Sequence, residues 1–134
     1  MNTLQKTIRL LIAAPLALGL PVGALHAAPQ YFIKDLGTLG GAYSNGTGLN
    51  EAGQVVGYSH LPANAALHPF LWQDGAGQQD LNTLGGTHAL AMGINNGGKV
   101  VGNSRIVGDV SSQGFVWSLG AMQGLPSLGG TFSR

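Results

Sequence analysis

Three histidines beyond the N-terminal segment, His60, His68 and His88, are the side chains best suited to acid–base chemistry or to metal binding. A metal site needs two to four such ligands that converge on one point. No two of these histidines stand at a short ligand spacing, and none recurs at the offset of the internal repeat described below. We therefore predict structural or solvent-exposed roles for all three, with neither a metal site nor a catalytic histidine.

Carboxylates and serines give no stronger indication of an active site. Asp35 and Asp80 each precede a turn, where an Asp side chain accepts hydrogen bonds from nearby backbone N–H groups. The sequence has no D-x-D-x-D calcium loop and no G-x-S-x-G nucleophile elbow. We predict that the protein is not an enzyme, with no catalytic, metal-binding or cofactor-binding residue and no cofactor.

The glycine pairs Gly40-Gly41 and Gly85-Gly86 are a further candidate feature. Consecutive glycines can form a nest of backbone N–H groups that binds an anion. However, no G-x-x-x-x-G-K-[ST] motif and no strand–helix junction accompanies these pairs. A sharp bend between structural units is therefore the favoured interpretation.

The composition indicates a globular protein with many tight turns. Glycine accounts for 23 of the 134 residues, hydrophobic residues for 44% and charged residues for only 8%. This apolar content is sufficient for a core, and glycine without a three-residue period favours short elements over a collagen helix. The sequence contains no cysteine and no basic run. Disulfides are therefore excluded, and nothing indicates a nucleic-acid partner.

Residues 1–27 have the layout of a secretory signal peptide, because Lys6 and Arg9 precede an apolar run at residues 10–20 and small residues follow. The run is shorter than the roughly 20 residues that span a bilayer. We predict cleavage after Ala27, export to the extracellular space, cell surface or periplasm, and no membrane span afterwards. An N-terminal membrane anchor is the alternative. Removal of the segment leaves four basic and five acidic residues, a formal charge of 4 − 5 = −1.

An internal repeat organises the remaining region, residues 28–134. The motif DLGTLGG at residues 35–41 returns as DLNTLGG at residues 80–86 and, more loosely, as GLPSLGG at residues 124–130. The first shift is 45 residues and the second is 44. The segments GQVVG and FLW recur as GKVVG and FVW at the offset of 45 residues. So many matches at one offset predict tandem structural repeats.

The repeats are predicted at residues 35–79 and 80–124, with the start of a third at residues 125–134. Each contains four short stretches with β character, and none has a sustained helical period, so almost no helix is expected. Divergence between the copies at residues 64–68 and 107–114 predicts loops. The strands of the first repeat are expected at residues 42–50, 54–59, 69–73 and 78–84.

Each pair of central strands is predicted to be joined by a tight turn. Asn50 and Gly53 bound the first turn, and Asn95 and Gly98 bound its copy. Asn at the start and Gly at the end suit a type I turn followed by a left-handed residue. We therefore expect positive φ angles at Gly53 and Gly98.

Four strands in a unit of this length are typical of a β-propeller blade. We therefore expect an all-β fold of two tandem blade-like repeats, a partial propeller preceded by the signal-peptide helix. The aromatic pairs Phe70/Trp72 and Phe115/Trp117 have a spacing of two, so each pair shares a strand face. Core packing between blades is expected for them, and a carbohydrate-stacking platform is the alternative. Because two blades cannot close a ring, we expect self-association or continuation into further repeats.

The sequence resembles the HAF family of extracellular repeats, whose units read DLGTLGG…GINxxGQVVG…HAFLW. Here DLGTLGG is followed by GLNEAGQVVG at residues 48–57 and HPFLW at residues 68–72, and the second copy reads DLNTLGG, GINNGGKVVG and QGFVW. It departs from the pattern at Pro69 and at Gln113-Gly114, where the second copy has no His. The resemblance covers residues 35–134. It implies export and a propeller-like repeat architecture, and it implies no agreed enzymatic role.

The preferred functional hypothesis is a secreted or cell-surface, non-catalytic β-repeat module. It would have a binding or structural role, with an extracellular protein or glycan as its ligand. The alternative is a fragment of a secreted propeller enzyme that acts on glycans, although acidic residues and histidines are few. A truncated, non-functional reading frame also stays open.

Overall fold

The computed structural model describes residues 30–127 and Gly129. The chain divides into two compact units, Met1–Phe32 and Ile33–Arg134, and all the strands described below belong to the second. The predicted signal peptide and the last residues of the predicted third repeat lie outside the described residues. In the described part, no helix has the length and apolar character needed to cross a membrane.

The described part is predominantly β, as the sequence predicts. Eight strands carry the fold: β1 (Ser44–Leu49), β2 (Val55–His60), β3 (Leu67–Gln73), β4 (Gly77–Asp80), β5 (Gly85–Ile94), β6 (Val100–Ile106), β7 (Ser112–Ser118) and β8 (Ala121–Gly124). Two 3₁₀ turns interrupt them, at Pro62–Asn64 and Val107–Asp109. Each predicted repeat therefore contributes four strands and one 3₁₀ turn.

The strands form one open eight-stranded sheet in the order β1-β2-β3-β5-β6-β7-β8, with β4 paired to β3 beside this path. Pairing is antiparallel among β1 to β4, here called the first ladder, and among β5 to β8, the second ladder. A single parallel bridge between Leu67 and His88 connects β3 to β5.

The two ladders pack against each other through a shared apolar core. Val56 and Leu71 are cross-strand partners in the first ladder, so they lie on the same face. They belong to one buried cluster with Ala91, Phe115 and Trp117 of the second ladder. The alternation of a strand places Phe70 and Trp72 on the opposite face from Leu71, and both are also buried.

Burial of the aromatic pairs confirms their predicted core role. Phe70, Trp72, Phe115 and Trp117 are all buried. Because burial leaves these rings no free face for a sugar to stack on, the carbohydrate-stacking alternative for them is wrong.

Side-chain hydrogen bonds also cross the boundary between the ladders. Thr47 Oγ1 donates to the carbonyl of Ala91 at 2.7 Å. Asn50 Nδ2 donates to the carbonyl of Asn95 at 3.1 Å, so Asn50 contacts its own counterpart in the next repeat. The turns at one end of the two ladders are thereby connected directly.

The predicted tight turns are confirmed. Gly53 has φ +73° and Gly98 has φ +75°. The amide of Gly53 donates to the carbonyl of Asn50 at 3.0 Å, and Asn50 Oδ1 accepts from the amide of Gln54 at 3.0 Å. Asn95 and Gly98 repeat the same backbone bond at 3.0 Å.

The predicted loops at residues 64–68 and 107–114 need correction. The first contains the end of one 3₁₀ turn and the start of β3, and the second contains the other 3₁₀ turn and the start of β7. The backbone is the same in both despite the different sequences, since Asn64 has φ +54° and Asp109 has φ +55°. Asn and Asp tolerate this left-handed conformation better than most residues, which explains how two different sequences share one turn.

The fourth strand of the first repeat is also shorter than predicted. β4 ends at Asp80, whereas the sequence predicts an extended segment at residues 78–84. Asn82 has φ +63°, and its amide donates to Asp80 Oδ1 at 2.7 Å. This Asx turn ends the strand, and Leu81 turns into the core, where it is 2% exposed.

One face of the second ladder is left uncovered by the described residues. Val101 and Val116 are cross-strand partners there, at the positions that Val56 and Leu71 occupy in the first ladder. Val56 is 0% exposed, whereas Val101 is 47% exposed. Met92 is also exposed, and its counterpart Thr47 bonds to the second ladder. We call Val101, Val116 and Met92 the uncovered face.

Candidate functional site

A cleft of about 480 Å³ opens at the end of the sheet where β5 begins and β6 ends. Its volume lies within the range of small-molecule binding sites, roughly 300–1,000 Å³. The side chains used below are Leu67, Thr87, His88, Leu90, Asn103, Arg105, Asp109 and Ser112.

Strand register explains why these residues meet at one end of the sheet. His60 pairs with Leu67, and Leu67 pairs with His88 in the parallel bridge. On the other side of the cleft, Arg105 pairs with Ser112. Apart from His88, the fourth residue of β5, each of these positions lies at or next to a strand terminus, so the sheet brings them together although they are distant in sequence.

The second glycine of the Gly-Gly pair permits close packing behind the cleft. A Cβ atom at Gly86 would lie 2.5 Å from Cβ of Arg105 and 2.6 Å from Oδ1 of Asp109. No side chain fits at either distance, so Gly86 is required for the 3₁₀ turn to approach β5. Gly41 has the same constraint in the first repeat, with 2.5 Å to Cβ of His60.

The amides around the first Gly-Gly pair are used internally. Leu39 N donates to Ser59 Oγ at 2.8 Å, Gly40 N to Thr38 Oγ1 at 3.1 Å, and Gly41 N to the carbonyl of His60 at 3.0 Å. These bonds leave no group of amides directed at an anion. For this pair the bend predicted from the sequence is confirmed, whereas Gly85 and Gly86 begin strand β5, so a bend was the wrong prediction there.

Asp109 is fixed by the first residues of β5. Its Oδ1 accepts from Thr87 N at 2.8 Å, and its Oδ2 accepts from Thr87 Oγ1 at 2.7 Å. Hydrogen bonds from Thr87 hold the pKa of Asp109 below its ordinary value, and the charge of nearby Arg105 acts in the same direction. The carboxylate is therefore ionised at neutral pH, with both oxygens engaged.

Proton counting then assigns the tautomer of His88. The Thr87 hydroxyl has one proton, which it donates to Asp109, so it can only accept from His88 Nδ1, 2.7 Å away. Nδ1 of His88 therefore carries a proton, and Nε2 of the neutral ring is a hydrogen-bond acceptor. The chain Asp109–Thr87–His88 thus orients the imidazole within the cleft.

Arg105 has no carboxylate partner among the described residues. Its Nη1 donates to the backbone carbonyl of Asp109 at 2.8 Å. The ion pairs in this part of the protein join Lys34 to Asp74 and His68 to Asp80. Arg105 therefore brings a positive charge to the cleft with most of its N–H donors available.

The corresponding positions of the first repeat form a different surface. Tyr43, Tyr58 and His60 occupy the places of His88, Asn103 and Arg105. The ring centroid of Tyr43 lies 6.3 Å from those of both Tyr58 and His60. Partial burial raises the pKa of Tyr43 above its ordinary value, and the adjacent Tyr58 phenol acts in the same direction.

The framework beneath these positions is the same in both repeats. Ser59 Oγ accepts from Leu39 N at 2.8 Å, and Ser104 Oγ accepts from Leu84 N at 2.8 Å. Asn64 Oδ1 accepts from the amide of Ala42 at 3.0 Å, as Asp109 accepts from that of Thr87. The repeats therefore share their structural hydrogen bonds and differ in the side chains at the strand ends.

The histidines considered from the sequence have three different environments. His60 lies against Tyr43. His68 is largely buried, and its Nδ1 lies 2.8 Å from Asp80 Oδ2. His88 belongs to the cleft. No three metal-binding side chains cluster anywhere in the described residues.

The predicted turn role of the two repeated aspartates is confirmed. Asp35 Oδ1 accepts from the amide of Gly37 at 2.9 Å, and Asp80 Oδ1 accepts from that of Asn82 at 2.7 Å. The sequence does not predict the additional pairing of Asp80 with His68, because His68 has no counterpart in the second repeat.

The sequence patterns also do not predict the hydrogen-bonded chain Asp109–Thr87–His88. Asp109 lies in the divergent stretch for which the sequence predicts a loop, 22 residues from Thr87. One signal exists: Asn64 and Asp109 are equivalent at the 45-residue offset, and both are suited to capping a nearby amide.

The described residues define a β-rich protein of two equivalent four-stranded ladders, with a polar cleft at the strand ends. Comparison of the chain with protein-family models, curated proteins and solved structures finds no match.

Proposed function

We propose that this protein is an exported, non-catalytic β-repeat module that binds an extracellular ligand in the cleft at His88 and Arg105. The observation that supports this proposal is that the two repeats share their structural hydrogen bonds but carry different side chains at the cleft. Ser59 and Ser104 make the same bond, whereas Tyr43 and His88 are different side chains at equivalent positions of the repeat. Repeat proteins keep a common scaffold and vary one face for binding.

The hydroxyls of the two cleft serines favour binding over catalysis. Ser104 Oγ donates to the carbonyl of Arg105 at 2.9 Å, and Ser112 Oγ has no hydrogen-bond partner in the described residues. A serine nucleophile would need its hydroxyl bonded to a general base. A glycan-acting enzyme is the alternative, and the experiment below separates the two.

The test is a glycan array and an activity screen on the same glycans, with purified protein lacking residues 1–27. We expect saturable binding that Arg105→Ala weakens and that Lys99→Ala, a matched exposed charge outside the cleft, leaves unchanged. Binding that Arg105→Ala leaves at wild-type affinity contradicts the cleft as the site. Release of shortened glycans supports the enzyme instead.

The export part of the proposal rests on the layout of residues 1–27 and on the resemblance to HAF repeats. Mass spectrometry of protein from the extracellular or periplasmic fraction of the native host should find an N-terminus at or near Ala28. Cytoplasmic protein that retains Met1 contradicts export.

We further propose that the ladders stack as propeller-type blades and that the uncovered face takes a second copy of this chain. In the first ladder, the equivalent face around Val56 is buried by the second ladder. The opposite face of the first ladder, at Phe70 and Trp72, is already buried within the chain. A second copy therefore offers its own uncovered face, and the contact is two-fold symmetric.

Light scattering at increasing protein concentration tests this association. We expect a dimer that Val101→Lys disrupts and that Leu119→Lys leaves intact, because Leu119 is fully exposed in the β7–β8 turn. A monomer at all concentrations contradicts the association, as does a dimer that is insensitive to Val101→Lys.

A further inference from the structure

The free hydrogen-bond donors of the cleft favour an anionic group in its ligand. Both oxygens of Asp109 accept hydrogen bonds from Thr87, so this carboxylate is occupied inside the protein. Arg105 lies in the same cleft and forms no ion pair with a carboxylate of the described residues. Arg105 and the ionised Asp109 cancel in net charge, but the guanidinium keeps free N–H donors, which suit bidentate binding of a carboxylate.

Uncharged polar groups surround this cation. The proton count at Thr87 places a proton on His88 Nδ1. In the neutral ring, Nε2 is therefore the atom that accepts a hydrogen bond. The side chains of Asn103 and Ser112 line the cleft and form no hydrogen bond within the described part of the chain. An amide, a hydroxyl and an imidazole together match a ligand with several hydroxyl groups.

Apolar side chains complete the lining. Leu67 and Leu90 contribute to the wall, and neither has a polar group to satisfy. The carbon skeleton of a sugar ring is apolar on its C–H faces, so such a surface complements it without a cost of desolvated polar atoms.

We propose that the cleft binds a uronate residue of an acidic extracellular polysaccharide. Arg105 binds the carboxylate, while His88 Nε2, Asn103 and Ser112 bind ring hydroxyls. This inference rests on the proposed function, because it names the ligand class of the same site. An acidic peptide fits less well, because β6 and β7 are each paired on both sides and offer no free strand edge to a peptide backbone.

The test uses a panel of uronate oligosaccharides that differ in sugar and linkage, each paired with its carboxyl-reduced form, in which the carboxylate is a primary alcohol. Calorimetry measures binding to the protein without residues 1–27. We expect at least one uronate to bind about tenfold or more tightly than its reduced form, because a charge-assisted hydrogen bond is lost on reduction. Added salt should weaken the binding of that uronate.

Variants locate the interaction. Arg105→Ala should remove the preference for the carboxylate, and Arg105→Lys should keep part of it, since lysine supplies charge without the bidentate geometry. His88→Ala should weaken both members of a pair by a similar factor, because His88 contacts hydroxyls that both forms retain. Lys99→Ala is the control and should bind as the wild-type protein does, and thermal melting of each variant confirms that it folds.

The outcomes separate this inference from the proposed function. If reduced forms bind as tightly as uronates through the cleft, or if only a neutral glycan, a protein or an acidic peptide binds there, the uronate inference is wrong and the binding module stands. If cleft variants alter the binding of no ligand in the panel, on the array or among peptides, both are wrong.

Discussion

Two buried serines make the same connection in each repeat. Ser59 and Ser104 each lie at the end of a central strand and accept the amide of the leucine before a Gly-Gly pair. Each hydroxyl also donates to a neighbouring backbone carbonyl, as Ser104 does to Arg105. Removal of a buried hydroxyl that both accepts and donates a hydrogen bond lowers stability, because the amide and the carbonyl lose their partner.

Ser104→Ala should therefore lower the free energy of unfolding by about 1–3 kcal/mol, the cost of a buried amide left without an acceptor. Urea denaturation measures the change. Ser118→Ala is the matched control, since its hydroxyl forms no hydrogen bond in the described residues, and it should change stability by less than about 0.5 kcal/mol. Equal effects of the two substitutions would argue against the assigned role.

Thr87 lowers the pKa of Asp109 through one hydroxyl and one amide. Thr87→Val removes the hydroxyl and keeps the amide, so the pKa of Asp109 should rise towards its ordinary value. NMR titration of the side-chain carboxyl measures it. Asp74 is an internal control, because Lys34 lowers its pKa and Thr87 does not contribute. An unchanged pKa at Asp109 would contradict the assigned cause.

The same shift determines how stability depends on pH. The folded-state pKa of Asp109 lies below the unfolded value of about 3.9, so its contribution is complete above that value and is lost as pH falls through the folded pKa. The stability difference between wild type and Thr87→Val should thus shrink as the pH is lowered from 7 to about 2. A difference that stays constant would exclude this linkage.

At the residue scale, the sequence predicts hydrogen bonds between residues that are close in the chain and does not predict those between distant residues. The turn role of Asp35 and Asp80 was predictable, because the acceptor and the amide are two residues apart. The contact between Thr87 and Asp109 was not, because it depends on how the 3₁₀ turn folds back over Gly86.

Among the structural elements, the β1–β2 turn gives the sharpest test. Gly53 has φ +73°, and no atom lies within 4 Å of the point that a Cβ would occupy, so any cost of substitution comes from the backbone alone. Gly53→Val should lower stability by about 1 kcal/mol or more, because β-branching resists this conformation. Gly53→Asn should cost less, since Asn82 already adopts φ +63° in this chain.

Denaturant melts of the two variants measure this difference, with Gly93→Ala as the control. Gly93 has no positive φ, and a Cβ there would make only an ordinary contact of 3.9 Å with Val101. Equal losses for Gly53→Val and Gly53→Asn would show that the turn conformation is not the cause.

Strand existence was predictable and strand ends were not. The positions of Val55 and Val56 and of Phe70 and Trp72 indicated the central strands, since β-branched and aromatic residues favour a half-buried pleated surface. The ends depend on tertiary pairing: Leu67 joins β3 because it pairs with both His60 and His88.

At the scale of the whole molecule, residues at equivalent positions of the two repeats contribute unequally to stability. Val56→Ala should lower the free energy of unfolding by about 2 kcal/mol, from lost burial and a cavity, whereas Val101→Ala should cost less than about 1 kcal/mol. Chemical denaturation at low protein concentration measures both, so that self-association does not contribute. Equal costs would mean that the uncovered face is covered in solution.

The packing of the two ladders against each other was only partly predictable from the sequence. The spacing of Phe115 and Trp117 predicted a buried face, and the structure places that face against Val56 and Leu71. The exposure of Val101 was not predictable, because the sequence around it matches that around Val56 and the difference comes only from what lies next to each ladder.

The single parallel bridge between β3 and β5 has a mechanical consequence. Each ladder is held by rows of antiparallel backbone bonds, whereas the boundary between the ladders has this bridge, the shared apolar core and a few side-chain bonds such as Thr47 to Ala91. A chain pulled from its two ends should therefore part at this boundary first. Single-molecule extension should record a small early yield, followed by two larger events of similar length as the ladders unravel one after the other.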